Sequence, residues 1–262
     1  MDKTKIDWAD STWNPVTGCL HGCEYCYARN MVHRFTKYES YGMEPKTLEK
    51  PYCRQGVADD DYYKDPYPYG FAPTFHRYRL NDYKDKRGRI IFVGSMCDLF
   101  GDWVPDSWIE EVFKACEAAP QHKYLFLTKN PDLYAGAWLQ DKIFDRKLHE
   151  NAYFGATATS QDMAHKAIEC FGETRTPIKT FLSIEPILEK MRIPIINWVN
   201  WVIVGAETGR RKDKVIPERL WIERIMSQCR SANIPLFMKE SLRELMGDDF
   251  IQEWPKELKN QD

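Results

Sequence analysis

The strongest constraint in the sequence is a series of short apolar runs, each stopping at a polar residue, at nearly even spacing. The runs are Ile90–Val93, Tyr124–Leu127, Ala152–Ala156, Thr180–Ile184, Trp201–Val204 and Ile234–Met238. They are rich in β-branched and aromatic residues and apolar on both faces, which is how buried parallel strands read. They stop at Asp98, Lys129, Thr159, Glu185, Glu207 and the pair Lys239–Glu240, at intervals of 31, 30, 26, 22 and 33 residues. One βα unit fits each interval. Pro105–Phe113 opens with Pro and acidic residues, as a first helical turn prefers. Ser160 is placed to cap another helix. Pro217–Arg230 carries an apolar stripe at Leu220, Ile222, Ile225 and Met226. Strand–helix alternation of this kind implies a parallel sheet with right-handed crossovers. A doubly wound nucleotide-binding sheet would want G-x-G-x-x-G after its first strand, and the sequence has none. The expectation is an α/β fold, a partial or complete parallel (β/α) barrel with its strand ends gathered on one face.

A chain of 262 residues suits one such domain. Residues 38–89 break the βα repeat with a stretch rich in Tyr, Pro, Asp and Arg, so they read as an insertion packed on the barrel or as a surface loop. The 37 Lys and Arg against 39 Asp and Glu give a net charge of −2, which argues against a wholesale basic coat for nucleic acid. No apolar run approaches the roughly 18 residues of a membrane-spanning helix. The first residues, Met1–Asp7, carry no apolar core of a secretory signal. A cytoplasmic location is expected, where the 8 cysteines would stay unpaired.

Three cysteines crowd into Cys19-Leu20-His21-Gly22-Cys23-Glu24-Tyr25-Cys26. This C-x3-C-x2-C spacing lets three thiolates serve one inorganic centre from one loop, with Gly22 at the turn. Two centres compete. A structural zinc ion would take His21 as a fourth ligand, and an iron–sulfur cluster can take three protein ligands and leave one iron open. Cys116, Cys170 and Cys229 fall in helix-like stretches and read as small buried hydrophobes.

The cysteine spacing, with Tyr25 just before Cys26, resembles the signature of the radical S-adenosylmethionine (SAM) superfamily. Trp13-Asn14-Pro15-Val16-Thr17-Gly18-Cys19 and Cys26-Tyr27-Ala28 resemble more closely a phage- and prophage-associated, uncharacterised branch. So do Phe92–Phe100, Pro120-Gln121-His122, Leu127-Thr128-Lys129, Ser183-Ile184-Glu185-Pro186 and Val202–Glu207. The resemblance implies a six-stranded partial barrel of TIM type with Trp13–Val16 as its first strand. It implies a [4Fe–4S] cluster on Cys19, Cys23 and Cys26, SAM on the open iron, Tyr25 near the adenine, and a reductant such as flavodoxin or ferredoxin. In the superfamily the segment after the second strand receives the SAM amino group, often through Gly-Gly-Glu. Here it reads Gly94-Ser95-Met96-Cys97-Asp98, which departs from that pattern and makes Ser95 and Asp98 the candidates. Gly205 matches the adenine-side segment.

Among the remaining strand-end groups, Thr157, Thr159, Ser183 and Glu185 suit ribose hydroxyls. Cys97 could donate a hydrogen atom, with Lys129 and Glu207 as further catalytic candidates. Lys239 and Glu240 are left for substrate. Arg77–Arg89 is net +4, and Gly209–Lys214 is net +3. Arg210, Arg211 and Lys212 of the second stretch follow a strand end, where positive charge suits a phosphate-bearing substrate such as a nucleotide or nucleic acid. Aromatic residues of the insertion could stack unpaired bases. The expected activity is radical SAM chemistry that abstracts a hydrogen atom from a substrate, with a nucleotide or nucleic-acid base, modified or isomerised, as the candidate. The alternatives are a zinc-stabilised nucleic-acid-binding module and an iron–sulfur scaffold without SAM chemistry.

Overall fold

The computed structural model describes residues 4–36, 42–55, 62–175, 178–193, 198–209 and 211–259. Seven strands form one sheet, all parallel: β1 Ser11–Trp13, β2 Ile90–Val93, β3 Lys123–Thr128, β4 Ala152–Thr157, β5 Lys179–Ile184, β6 Trp201–Val204 and β7 Leu236–Met238. Their spatial order is their chain order, so the winding never reverses. A sheet wound in one direction curls, and this one curls into a half-barrel with β1 and β7 at its edges. That excludes the doubly wound arrangement, whose strand order reverses at a switch point.

The structure differs from expectation in two respects. The sheet has seven strands, not six. Its first strand is Ser11–Trp13 and not Trp13–Val16. Pro15 lacks the amide N–H that a continuing ladder needs. After it, Val16–Thr17 leaves the main sheet and pairs antiparallel with Thr74–His76. Thr74–His76 in turn pairs parallel with Lys46–Leu48. The insertion therefore contributes a second, three-stranded sheet at the start of the barrel. It also carries a separate hairpin, Cys53–Gln55 with Tyr62–Lys64.

Helices cover the convex face. They are α2 Asp106–Glu117, α3 Ala137–Asp145, α4 Gln161–Gly172 and α5 Arg219–Ser231, while α1 Tyr27–Phe35 packs instead against Met96, Tyr67 and Phe71. In α2 the apolar residues Trp108, Ile109, Val112, Phe113 and Cys116 recur at helical spacing and are buried. Ser160 caps α4 through the Met163 amide at 3.3 Å. Leu220 lies outside the buried stripe of α5, which is Ile222, Ile225, Met226 and Cys229. No helix appears between β5 and β6 among the described residues.

The concave face is filled from below. Phe92, Leu125, Tyr153, Phe181, Trp201, Ile203 and Phe237 form an apolar cluster with Trp8 and Leu258. Alternation along each strand places Thr157, Ser183, Gly205 and Lys239 on this same face, further toward the strands' C-terminal ends. The barrel is therefore dry at its base and polar at its mouth. No described helix is long and apolar enough to cross a membrane.

Candidate functional site

The cysteine loop leaves the small sheet at Gly18 and ends at the first turn of α1. Gly18 has φ +87°, and a Cβ there would stand 2.2 Å from the Ala72 carbonyl oxygen, so the position admits only glycine. The Gly18 amide donates to Met96 O at 2.9 Å, and the Cys19 amide to Phe71 O at 3.3 Å. The loop is thus stitched to the segment after β2 and to the insertion. Gly22 makes its turn at φ +72°. Cys26 caps α1, its sulfur accepting from the Arg29 amide at 3.4 Å.

Cys19, Cys23 and Cys26 are free and partly exposed. Burial, foremost, pushes the Cys19 thiol up to about 11, with Asp98 and Cys23 adding to the rise and Lys129 opposing it. Tyr25 lies against the Cys23 and Thr159 side chains. The Lys129 ammonium lies 6.0 Å from the Tyr25 ring centroid. The loop therefore sits beside the barrel mouth, against the ends of β3 and β4. Among the described residues, no three His, Cys, Asp or Glu side chains stand close enough to hold a single metal ion. A cubane cluster asks for something else, because its thiolates bind different irons and need not converge on one point. Three free, partly exposed thiols on one loop match that donor set in kind.

Asp98 is the anchor of this end of the barrel. One carboxylate oxygen accepts from His21 Nε2 at 2.7 Å and from the Lys129 amide at 2.8 Å, and the other accepts from the Phe100 amide at 3.1 Å. Burial pushes its pKa up, but hydrogen bonds from His21, Lys129 and Thr128 outweigh that and hold it below the ordinary carboxylate value. His21 stands edge-on to Trp103, ring centroids 4.8 Å apart. Asp98 thus accepts three hydrogen bonds from protein donors. Ser95 is held too. Its hydroxyl donates to Asn14 Oδ1 at 3.1 Å, and its carbonyl accepts from the Tyr27 hydroxyl at 2.7 Å. Asn14 also receives the Met96 amide at 2.9 Å. Sequence reasoning assigned no role to Asn14, Tyr27 or His21 as a tether. The only available signal was their position beside the cysteine motif.

Cys97 is packed beneath the loop, beside Cys19 and Asp98, and burial raises its thiol pKa well above the ordinary value. Thr157, Thr159 and Ser183 are buried on the concave side. Ser183 Oγ has no hydrogen-bond partner among the described residues. Glu185 and Lys239 form an ion pair at the mouth. Gly205 serves that pair, since a Cβ there would stand 2.9 Å from Lys239 Cδ.

The loop after β6 departs most from the sequence reading. Glu207, with its side chain only 2% exposed, grips Arg211 through two bonds of 2.7 Å. The Arg211 guanidinium beside it holds its carboxyl below the usual range, against the opposing effect of burial. Arg211 also reaches Glu24, inside the cysteine triplet, at 3.4 Å. Glu207 and Arg211 are thus paired with each other, and Arg211 with Glu24 as well. Both strap the mouth to the cysteine loop. Lys212 is exposed and makes no such bond, and Arg210 lies outside the described residues. Glu240 pairs with Arg243 on the surface, and its amide binds Asp7, so it does not join the site. In the other basic stretch, Arg77 pairs with Glu111 and Glu49, Arg79 donates to Asn14 O and Arg89 to Ser11.

A family model described as a protein of unknown function, DUF5131, matches residues 3–247. The chain belongs to that family. The match spans the whole half-barrel and the cysteine loop, and it ends before the C-terminal segment that packs under the DUF5131 chain's sheet. No curated protein and no solved structure matches the chain.

Proposed function

We propose that this chain is a radical SAM enzyme. The observation that carries the proposal is the position of the three-cysteine loop, at the C-terminal mouth of a singly wound parallel half-barrel whose base is closed by apolar side chains. Cys19, Cys23 and Cys26 would hold a [4Fe–4S] cluster. When bound and reduced, the cluster supplies one electron to the sulfonium of SAM, which splits into methionine and a 5′-deoxyadenosyl radical able to take a hydrogen atom from substrate. The chain's own part is to position and to exclude. Phe92, Leu125, Phe181 and Trp201 keep water out from below. Ser183, with its unsatisfied hydroxyl, and Thr157 offer hydrogen bonds to a ribose. Tyr25 and Lys129 border the loop on the mouth side. Unsatisfied buried hydroxyls are uncommon, and a ligand that completes one removes its cost. A phosphate-bearing substrate, nucleotide or nucleic-acid base, would find Lys212 and Lys214 available while Arg211 holds the strap. A small electron carrier of the flavodoxin or ferredoxin kind would supply the electron.

The test is anaerobic reconstitution with iron and sulfide, followed by reduction and incubation with SAM. Four irons and four sulfides per chain, on the order a single cubane requires, and formation of 5′-deoxyadenosine are expected. Both should be lost in Cys19→Ala, Cys23→Ala and Cys26→Ala. About one zinc with no sulfide, unchanged by reconstitution, would make the chain a zinc-stabilised module instead. A cluster with no SAM cleavage would make it a scaffold.

A further inference from the structure

Asp98 and His21 do more than fill space. His21 lies between Cys19 and Cys23, and its side chain is 22% exposed where that of Asp98 is 6% exposed. The 2.7 Å bond between them joins the cysteine loop to the segment after β2, and the Lys129 amide joins the same carboxylate to the end of β3. The Phe100 amide completes the set of donors around it. Cys19 and Cys97 are its sulfur neighbours. A carboxylate so placed is a fixed negative charge in a poorly solvated setting, where charge acts over longer range than in water.

We propose that His21 and Asp98 are a positioning pair that sets the pose of the cysteine loop and, through the Asp98 charge, lowers the reduction potential of the cluster the loop holds. A fixed negative charge opposes the arrival of an electron, and net charge and hydrogen bonding near the sulfurs are what set cluster potentials. The part concerning potential rests on the proposed function; the part concerning the loop does not.

The loop is tested on the metal-free full chain by amide hydrogen exchange. In His21→Ala, the amides of residues 19–26 should exchange at least several-fold faster than in wild type, while the β3 and β4 amides stay as they were. His21→Gln, which keeps a donor, should recover most of the protection. Equal loop exchange in wild type and His21→Ala would overturn the tether. The charge is tested on the reconstituted chain by a potentiometric titration followed by electron paramagnetic resonance, with every variant measured at the same pH. Asp98→Asn should move the midpoint to a less negative value with iron and sulfide content retained. His21→Gln should move it less, which also keeps the comparison informative if Asp98→Asn folds poorly. An unchanged midpoint in a correctly loaded Asp98→Asn, or a shift in His21→Gln as large as in Asp98→Asn, would overturn the charge role. A wild-type chain that takes up no sulfide would overturn the charge role and the proposed function together, and the exchange comparison would still decide the tether.

Discussion

Ser183 and Arg211 show how two residues of similar sequence standing diverge once their partners are known. Both lie at or just beyond a strand end, and both were expected to face ligand. Ser183 is buried with its hydroxyl unmatched, a state that costs about 1–3 kcal/mol. Ser183→Ala should therefore leave the ligand-free chain equally or more stable, by up to about 1 kcal/mol, while weakening several-fold the binding of SAM if SAM is the ligand proposed above. Urea unfolding and equilibrium binding on the same samples check the two signs. A loss of stability without a loss of binding would mean the hydroxyl serves the fold. Arg211 has the opposite character. Arg211→Ala strands the buried Glu207 carboxylate and frees Glu24, so the melting temperature should fall by a few degrees. Lys212→Ala should leave it unchanged. If a phosphate-bearing substrate binds, its salt dependence should shrink in Lys212→Ala, where one cation contact is lost. Sequence marked the charge of Arg211 and could not show that it was paired. Its partners are Glu207, four residues away, and Glu24, which only the fold brings near.

The elements themselves were largely legible. β2 and β6 coincide with the apolar runs that announced them, and β3, β4 and β5 extend theirs by one or two residues. Buried parallel strands write their whole length in apolar residues, so little is hidden. The small sheet was not legible, because Val16–Thr17 and Thr74–His76 are too short to show a period and lie far apart in the chain. That sheet carries a titratable group at its centre. His76 is buried and hydrogen-bonded with Thr17 Oγ1 at 2.8 Å. Burial first, then Arg79, lowers its pKa from 6.5 to about 3. A base whose folded pKa is depressed binds fewer protons folded than unfolded between those two values. Its contribution is thus fully present above about pH 6.5 and is lost progressively as pH falls toward 3. By about pH 4.5 the loss should be on the order of 2–3 kcal/mol. His76→Asn should unfold more readily at neutral pH yet lose less stability than wild type between about pH 7 and 4.5. Parallel pH profiles would count against a buried neutral imidazole.

At the scale of the molecule, the apolar runs and the first strand together give seven strands, and the sheet has seven; the superfamily resemblance implied six. Sequential order and one-way winding follow from the spacing, but the means of closing the base of a half-open barrel do not. Here the closure is made by the chain's two ends. Trp8 packs on Phe92, ring centroids 4.6 Å apart. From the other end, Trp254 packs on Trp201 and Phe237 at 5.1 and 5.2 Å. The backbone of the same segment holds it in place. Trp201 Nε1 donates to Glu253 O at 2.9 Å, the Glu253 amide to Leu236 O at 2.9 Å, and the Leu236 amide to the Glu253 carboxylate at 3.0 Å. Tyr153 donates to Glu257 at 3.2 Å. This plug lies beyond residues 3–247, the span of the family match, yet it covers the aromatic floor of the barrel. Trp254→Ala should cost about 2 kcal/mol, the transfer free energy of a large, partly buried aromatic. Ending the chain after Asp249 should cost far more, because Trp201, Phe237 and Tyr153 would meet water together. The shortened chain should bind a hydrophobic dye strongly and exchange its β6 and β7 amides faster, while the α2 amides change least. Equal dye binding and equal denaturant midpoints in the full and shortened chains would mean that the floor closes without the tail. The barrel would then owe its dry base to the strands and Trp8 alone.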